Sequence, residues 1–479
     1  MTAVLIHTLL TLQWFFLLYF VALNGGYVLL NLTAIFSLVR YMPLQGSSSL
    51  PQAYAGMEPP ISLLVPAYNE ATTICSSVRS LLQLNYPEFE VIVINDGSTD
   101  DMLDVLRREF SLAPFPEAYR VRLPTQPVQT IYQSARYTNL RVIDKANGGK
   151  ADALNAGINC ARFPLYCAMD ADSVLNRDSL QHLVQPFLDD PRTIACGGTV
   201  RIANGCEVED GFLTRAGLPS NLLALFQTVE YLRAFLFGRL GWSPMNAMLI
   251  ISGAFGLFRK DSVVAAGGYR TDTVGEDMEL VVRLHRFMRN ERRDYRITFV
   301  PDPICWTESP EDLKTLRKQR MRWQRGLAES LRMNIGLLFH RRGGAVGWLG
   351  FPFMALFEWW GPCIEVIGFV FVIVGYSLGI VSHQALIVFL LLALAVGILL
   401  SISAILLEEM SFHIYPKASQ LLVLMTIAVL ENFGYRQINS IWRFIAMLRW
   451  LTGGRGDWGT MKRTGNWQRP ASSKDVAKK

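Results

Sequence analysis

Leu165-Tyr166-Cys167-Ala168-Met169-Asp170-Ala171-Asp172 is an apolar run that stops at two carboxylates one residue apart. A short apolar run with no alternation is the pattern of a strand buried on both faces, as in the middle of a parallel sheet. Three similar runs precede it. They are 61–65, closed by Pro66; 90–94, closed by Asn95-Asp96-Gly97; and 141–143. Helical patterns fall between them at 71–84, 99–110 and 151–162. Buried strands alternating with amphipathic helices predict an α/β unit with a mostly parallel, doubly wound sheet. Ligands of such sheets bind beyond the carboxyl ends of the strands. Asn69-Glu70, Asp96, Asp144-Lys145 and Asp170 all stand at those ends, which points to a nucleotide site. The plainer reading is that Asx and Gly follow strands because turns favour them.

The flanks of this unit are different material. The chain has 479 residues, of which 51% are apolar types and only 18% charged. Its mean hydropathy is +0.24. This composition excludes a disordered protein, a small disulfide scaffold and an ordinary soluble enzyme. Residues 8–39 carry no charged side chain, enough for one long or tilted membrane-spanning helix, with Asn24-Gly25-Gly26 as a kink point. Arg40 ends the stretch and no Lys or Arg precedes it, so the positive-inside rule places the chain beyond Arg40 in the cytosol. Residues 343–407 hold only two charges, Glu358 and Glu365. One span ending near Val381 and another over 385–407 are expected, with the part before Pro362 a further span or an interfacial helix. Residues 421–429 suggest a last span followed by a surface helix. The expected division is a transmembrane helix at 1–40, a linker at 41–58, a cytosolic catalytic domain at 59–335, transmembrane and interfacial helices at 336–450, and a basic cytosolic tail at 451–479. The net charge of +6 suits anionic lipid and does not argue for nucleic acid. Six of the seven cysteines lie between Cys75 and Cys305 with no CxxC spacing, as expected of reduced core residues.

Four features carry chemistry. Asp170 and Asp172, after a buried strand, can share a hard divalent ion that takes its other ligands from a diphosphate and water. Asn147-Gly148-Gly149-Lys150 opens a helix, where backbone amides and a lysine favour an anion; a turn with a solvated lysine is the alternative. Gly275-Glu276-Asp277-Met278-Glu279 starts the helix expected over 276–289. Such carboxylates either cap the helix or include a general base whose pKa its neighbours raise. Gln319, Arg322 and Trp323 are spaced i, i+3, i+4 in the helical run 313–333, so they share a face able to meet a phosphate and a sugar ring. Lys314, Arg317, Lys318, Arg320 and Arg325 around them also fit a basic helix at a membrane surface, and different faces can serve both purposes.

In this order the motifs resemble the membrane-embedded, inverting family 2 glycosyltransferases with a GT-A domain. These include cellulose, chitin, hyaluronan and bacterial poly-N-acetylglucosamine synthases. The resemblance runs from Pro60 to about Gly326. It rests on Val65-Pro66-Ala67-Tyr68-Asn69-Glu70, Asn95-Asp96-Gly97-Ser98-Thr99-Asp100, Lys150-Ala151-Asp152-Ala153-Leu154-Asn155, Asp170-Ala171-Asp172, Glu276-Asp277 and Gln319-Arg320-Met321-Arg322-Trp323. It implies that Asp96 contacts the uracil of a UDP-sugar and that Tyr68 and Glu70 line the nucleoside pocket. It implies that Lys150 holds the diphosphate region, that Asp170 handles UDP and that Asp172 ligates Mg²⁺ or Mn²⁺. Asp277, beside Glu276, would be the base, and Gln319, Arg322 and Trp323 would shape the acceptor and diphosphate pocket. Ser252-Gly253-Ala254-Phe255 is a softer match to an acceptor-side loop. Gly275 departs from the family's usual threonine, which removes a hydrogen bond and suggests local looseness.

The resemblance further implies a multi-pass protein of the plasma or inner membrane that uses UDP-GlcNAc or UDP-Glc. Its acceptor would be a growing glycan or a lipid, with no nucleic acid and with room for an accessory export subunit. Processive synthesis of an exported β-glycan leads. Addition of one sugar to a lipid is the alternative, and a non-enzymatic scaffold with a decayed transferase domain is the reading from another class. Arg233, Arg239 and the arginines from Arg283 to Arg296 are expected to include lipid-facing positions, and the stretch 222–237 to lie at the interface. Trp242 and Trp306 could serve substrate or interface.

Overall fold

A computed structural model describes residues 2–45, 56–209 and 211–453. The linker expected at 41–58 and the tail expected at 451–479 therefore lie largely outside the described residues.

The four apolar runs form β1 (Ile61–Ala67), β2 (Phe89–Asp96), β5 (Leu140–Lys145) and β6 (Leu165–Met169). They stand side by side in the order β5-β2-β1-β6, all parallel. The ten-stranded sheet continues on one side to β4 (Val128–Ser134) and β3 (Leu112–Pro114). On the other it runs through β11 (Phe255–Arg259), β8 (Thr193–Ile202) and β12 (Arg296–Thr307) to β7 (Val174–Leu175). β11 runs antiparallel to both β6 and β8. Two short strands, β9 (Glu207–Glu209) and β10 (Phe212–Arg215), pair separately.

Helices form at the three expected positions, with ends that differ by a few residues: α2 (Ile74–Leu81), α3 (Met102–Glu109) and α4 (Lys150–Cys160). A further one, α5 (Ser179–Asp189), was not expected. Helix α4 lies tightly on the sheet. A β-carbon on Gly157 would stand 3.1 Å from side-chain carbons of both Leu64 and Ile94. That proximity explains how the amide-bearing start of α4 is held at the strand ends.

Beyond the sheet come α6 (Leu222–Arg233), the π-turn Ala234–Arg239, α7 (Glu276–Asn290) and α8 (Leu313–Met333). The N-terminal stretch is one unbroken helix, α1 (Thr2–Gln45). The expected kink point is a packing site instead. The Asn24 amide donates to Phe20 O and Leu392 O, and a β-carbon on Gly26 would stand 2.7 Å from the ring of Phe353. At the C-terminal end lie α9 (Gly361–Ser377), α10 (His383–Phe412), α11 (Ala418–Leu430) and α12 (Tyr435–Leu451). By length and composition, 11–41 and 383–412 can each cross a membrane. Two bent pairs, 346–359 with α9 at 44° and α11 with α12 at 52°, raise the candidates to as many as four.

Buried ion pairs join the two parts. Arg201 of β8 meets Glu408 of α10, and Arg233 of α6 meets Glu431 at the end of α11. Two expectations are corrected here. Arg283 does not face lipid: it is buried, paired with Glu279 at 2.9 Å, and donates to the carbonyls of Ala266 and Gly268. Trp306 serves neither substrate nor interface; it is core, packed with Val174, Ala203 and Cys206. Trp242 meets the ring of Phe353 edge-on, on the side of the apolar helices.

Candidate active site

The loops after β1 and β2 are laced together. Asn69 takes the left-handed region at φ 57°. Its side-chain oxygen accepts from Thr99 N at 2.8 Å and Asp100 N at 3.3 Å, while its own N–H donates to Ser98 Oγ at 3.0 Å. This lacing presents Tyr68, 44% exposed, beside Glu70, whose carboxylate accepts from the Thr73 hydroxyl. Asp96, at the end of β2, is only 4% exposed. One carboxylate oxygen takes Lys145 Nζ at 2.6 Å and Gly148 N at 3.0 Å, and the other takes Gly149 N at 2.7 Å. Lys145 is shared with Asp152 at 2.6 Å. Asp96 therefore shapes the glycine turn that leads into α4. Lys145, noted in the sequence only as a strand-end residue, and Asp152 complete that clamp; their pairing with Asp96 was not foreseen.

Lys150, at the start of α4, spans to the next motif. Its Nζ donates to Asp170 Oδ1 at 2.5 Å and Gly253 O at 3.2 Å, and lies 3.8 Å from Glu276. Burial opposes its charge, but Asp170 and then Glu276 outweigh burial and raise its pKa. Asp277 accepts Gly253 N at 3.0 Å through one oxygen and Met278 N at 2.8 Å through the other. A side chain at Gly253 would crowd both: a β-carbon would stand 3.1 Å from Lys150 Nζ and 3.2 Å from Asp277 Oδ2. The soft match at 252–255 is thus the wedge that brings the lysine and the base candidate together. Glu276 is buried, and that burial, with Asp277 adding and Lys150 opposing, pushes its pKa up to about 7.

The donor set suits a hard cation. Asp170 and Asp172 offer carboxylate oxygens, and Asp170 already holds one cation, the ammonium of Lys150. No cluster of three His, Cys, Asp or Glu ligands occurs among the described residues, so an ion there would need phosphate or water oxygens as well.

Helix α8 approaches Asp277 from the other side. Residues 319, 322, 323 and 326 lie on one stripe, and Gly326 touches Gly275 backbone to backbone. Arg322 is close enough to Glu276 for its charge to lower that carboxyl's pKa. Trp323 is 42% exposed, with the guanidinium of Arg320 over its ring at 4.4 Å. Gln319 is buried. The next stripe, 320 and 324, faces the apolar helices. Arg320 pairs with Glu230 at 2.8 Å, and the Gln324 amide donates to Trp359 O at 3.0 Å and accepts from Arg443 Nε at 2.8 Å. The two stripes of this helix thus meet different parts of the protein.

The start of α7 is not loose despite its glycine. Thr273 Oγ1 accepts from Gly275 N at 3.1 Å and donates to Glu329 Oε2 at 2.9 Å, which also accepts Val274 N at 3.0 Å. Thr273 and Glu329 were missed, because nothing local marks a threonine and a glutamate more than fifty residues apart as partners. Together these contacts gather Lys150, Asp170, Glu276 and Asp277 into one cleft with the Gln319–Trp323 stripe beside it. Carboxylates set beside a lysine that is paired with Asp170 suit transfer of a group away from a diphosphate.

Comparisons with known proteins agree. Residues 62–263 match the family model for glycosyl transferase family 2, and residues 167–401 match that for glycosyl transferase family group 2. A poly-beta-1,6-N-acetyl-D-glucosamine synthase of Staphylococcus epidermidis is 32% identical over 272 residues, 57% of this chain and 55% of the relative. One from Staphylococcus aureus strain COL is 32% identical over 274 residues, with the same shares. The matched region thus spans about half the length of these curated relatives. Among solved structures, a mannosyltransferase from Pyrobaculum calidifontis, in complex with GDP-Man and Mn2+, aligns over 86% of this chain and 99% of its own. Its TM-score is 0.47 at 17% identity.

Proposed function

This chain belongs to the family 2 glycosyltransferases, and from that premise we propose that it is an inverting, membrane-bound synthase that builds a β-linked polysaccharide from a UDP-sugar. The single observation that carries this reading is the junction of Asp277 with Lys150 and Asp170 through Gly253, beside the exposed ring of Trp323.

In the proposed step, Asp277 takes the proton of an acceptor hydroxyl. The acceptor oxygen bonds to the anomeric carbon from the face opposite the leaving group. The bond from that carbon to the UDP oxygen breaks, and UDP leaves with the electron pair. A donor with an α-linkage then gives a β-linked product. Asp96 meets the uracil and holds the Gly148-Gly149 turn in place, Tyr68 and Glu70 flank the nucleoside, and Lys150 with Arg322 faces the charge that grows on the departing diphosphate. Asp170 and Asp172 would hold Mg²⁺ or Mn²⁺, which neutralises part of that charge when bound. Gln319 and Trp323 position the acceptor, the ring giving a flat apolar surface to a sugar face.

UDP-GlcNAc is the favoured donor, with UDP-Glc next, since the curated relatives are named as N-acetylglucosamine polymer synthases. The apolar helices fit a multi-pass protein of the plasma or inner membrane, with the sheet on the cytosolic side, repeated addition, and export through its own spans. An accessory export subunit fits the same picture.

The test is incubation of the full chain in membranes with labelled UDP-GlcNAc or UDP-Glc, followed by sizing of the product. A ladder of long β-linked chains is expected. A single labelled glycolipid would replace the polymer reading, and no release of UDP from any UDP-sugar would end the transferase reading.

A further inference from the structure

Among the described residues, one cation shares no hydrogen bond with the network around Lys150 and Asp277, yet the charge of Asp277 reaches it. Arg239 ends the π-turn that comes after α6. Its guanidinium carbon sits 3.7 Å from the centroid of the Phe235 ring. Nε and Nη1 are buried, and neither has a hydrogen-bond partner among the described residues. A buried arginine normally spends its donors on carbonyls or carboxylates, as Arg283 does with Glu279, Ala266 and Gly268. Buried donors left without acceptors are costly, and beside a catalytic carboxylate they mark a place where a ligand can supply the acceptors.

The position of Arg239 narrows what that ligand is. The π-turn packs toward α1: two residues on, a β-carbon at Gly241 would lie 2.6 Å from the Leu30 carbonyl oxygen. The turn that carries Arg239 thus packs on the first apolar helix. The charge of Asp277 acts on it, as does Tyr231, whose hydroxyl in turn senses Asp170. Burial lowers its pKa to about 10, so it remains a cation at neutral pH. The donor's diphosphate belongs to the Lys150 and Asp170 side. Asp277 must face the hydroxyl it deprotonates, so a group near Asp277 on the helix side meets the acceptor. A neutral sugar fits this place: its hydroxyl, ring or amide oxygens accept hydrogen bonds without upsetting the balance of Arg239 against Asp277.

We infer that Arg239 is an acceptor-binding residue, whose Nε and Nη1 donate to oxygens of the terminal sugars of the glycan acceptor while Phe235 holds the guanidinium plane. This rests on the transferase reading and adds the acceptor contact on the helix side of the base.

The test uses the full chain in lipid nanodiscs with the donor that supports transfer and a short β-linked oligosaccharide as acceptor. Arg239→Gln should raise the acceptor KM at least tenfold and leave the Kd for UDP within twofold of wild type. Arg239→Lys should fall between them. Phe235→Leu, which keeps the charge and frees the plane, should raise the acceptor KM by a smaller factor and keeps the test alive if Arg239→Gln does not fold. Equal loss of UDP binding and acceptor binding would assign Arg239 to the donor side and overturn the inference. An unchanged acceptor KM in Arg239→Gln or in Phe235→Leu would also overturn it. A wild-type protein that transfers no sugar would instead defeat the parent reading, and this one with it.

Discussion

Gly275 and Gly326 meet with no side chain between them: a β-carbon built on Gly275 would lie 2.7 Å from the Cα of Gly326, and one built on Gly326 would lie 2.9 Å from the Cα of Gly275. The first residue precedes Glu276-Asp277, and the second lies on the same stripe as Gln319, Arg322 and Trp323. This contact sets the distance between Asp277 and the helix that carries Gln319, Arg322 and Trp323. Gly326→Ala should force the two backbones apart, at about 1–3 kcal/mol for overpacking. Transfer should fall by about tenfold or more for a displacement of this kind. UDP binding, which the proposed function assigns to Asp96 and Lys150, should change little. Thermal melting, UDP titration and UDP release measured together check this; wild-type transfer in the variant would show that the contact has no catalytic consequence.

Glu276 gives a pH signature. Its carboxyl is near 4.5 in the unfolded chain and is pushed up to about 7 by burial in the folded one. Between those values the folded protein holds a proton that the unfolded chain releases. The stabilising share is complete below 4.5 and is lost as pH rises through about 7. The melting temperature of wild type relative to Glu276→Gln should therefore decline over that window and level off above it. His285 acts with the opposite sign: burial pulls it down from 6.5 to about 4, so its share is present above 6.5 and disappears as pH falls toward 4. A flat difference between wild type and Glu276→Gln would mean that the carboxyl is not raised.

The Asp-x-Asp pair is tested by metal removal. Chelation should abolish transfer, and Mg²⁺ or Mn²⁺ should restore it. Asp172→Asn should lower transfer by about a hundredfold or more, the scale of a lost electrostatic contact to a leaving group. Asp170→Asn should do the same and in addition release Lys150, which Asp170 holds at 2.5 Å. Full transfer in chelator would exclude a metal role for both residues.

Arg201 and Glu408 join the sheet to α10 while almost wholly excluded from solvent, at 1% and 3% side-chain exposure. Arg201→Met strands the carboxylate and should cost about 3–5 kcal/mol, whereas Arg201→Met with Glu408→Leu should recover most of it. Melting curves of the two variants and wild type decide this. Equal loss in both would mean that the pair acts through its shape and not through its charge.

Much of the molecule was legible in the sequence because the signals are local. The runs at 61–65, 90–94, 141–143 and 165–169 became four adjacent parallel strands, since a stretch apolar on both faces has few other places to go. Helix α8 matched its predicted limits because its amphipathic period is strong over twenty-one residues. The antiparallel β11 was not anticipated: Phe255-Gly256-Leu257-Phe258-Arg259 looks like any short apolar run, and its direction depends on neighbours β6 and β8. The arginines from Arg283 onward were hard to place for the same reason, because a guanidinium satisfied by carbonyls reads the same in sequence as one bound for lipid headgroups.

By itself the order of residues determined the alternation of strands and helices, the apolar flanks, the acidic strand ends and the family, all of which arise from residue type and short-range spacing. Tertiary structure alone decided that Gly253 links Lys150 to Asp277, that Gly275 meets Gly326, that Lys145 and Asp152 finish the clamp on Asp96, and that Arg239 keeps two donors unused. These are pairings across tens to hundreds of residues. They depend on which backbones pack closely enough to exclude a side chain or water, and that distance is a property of the assembled core.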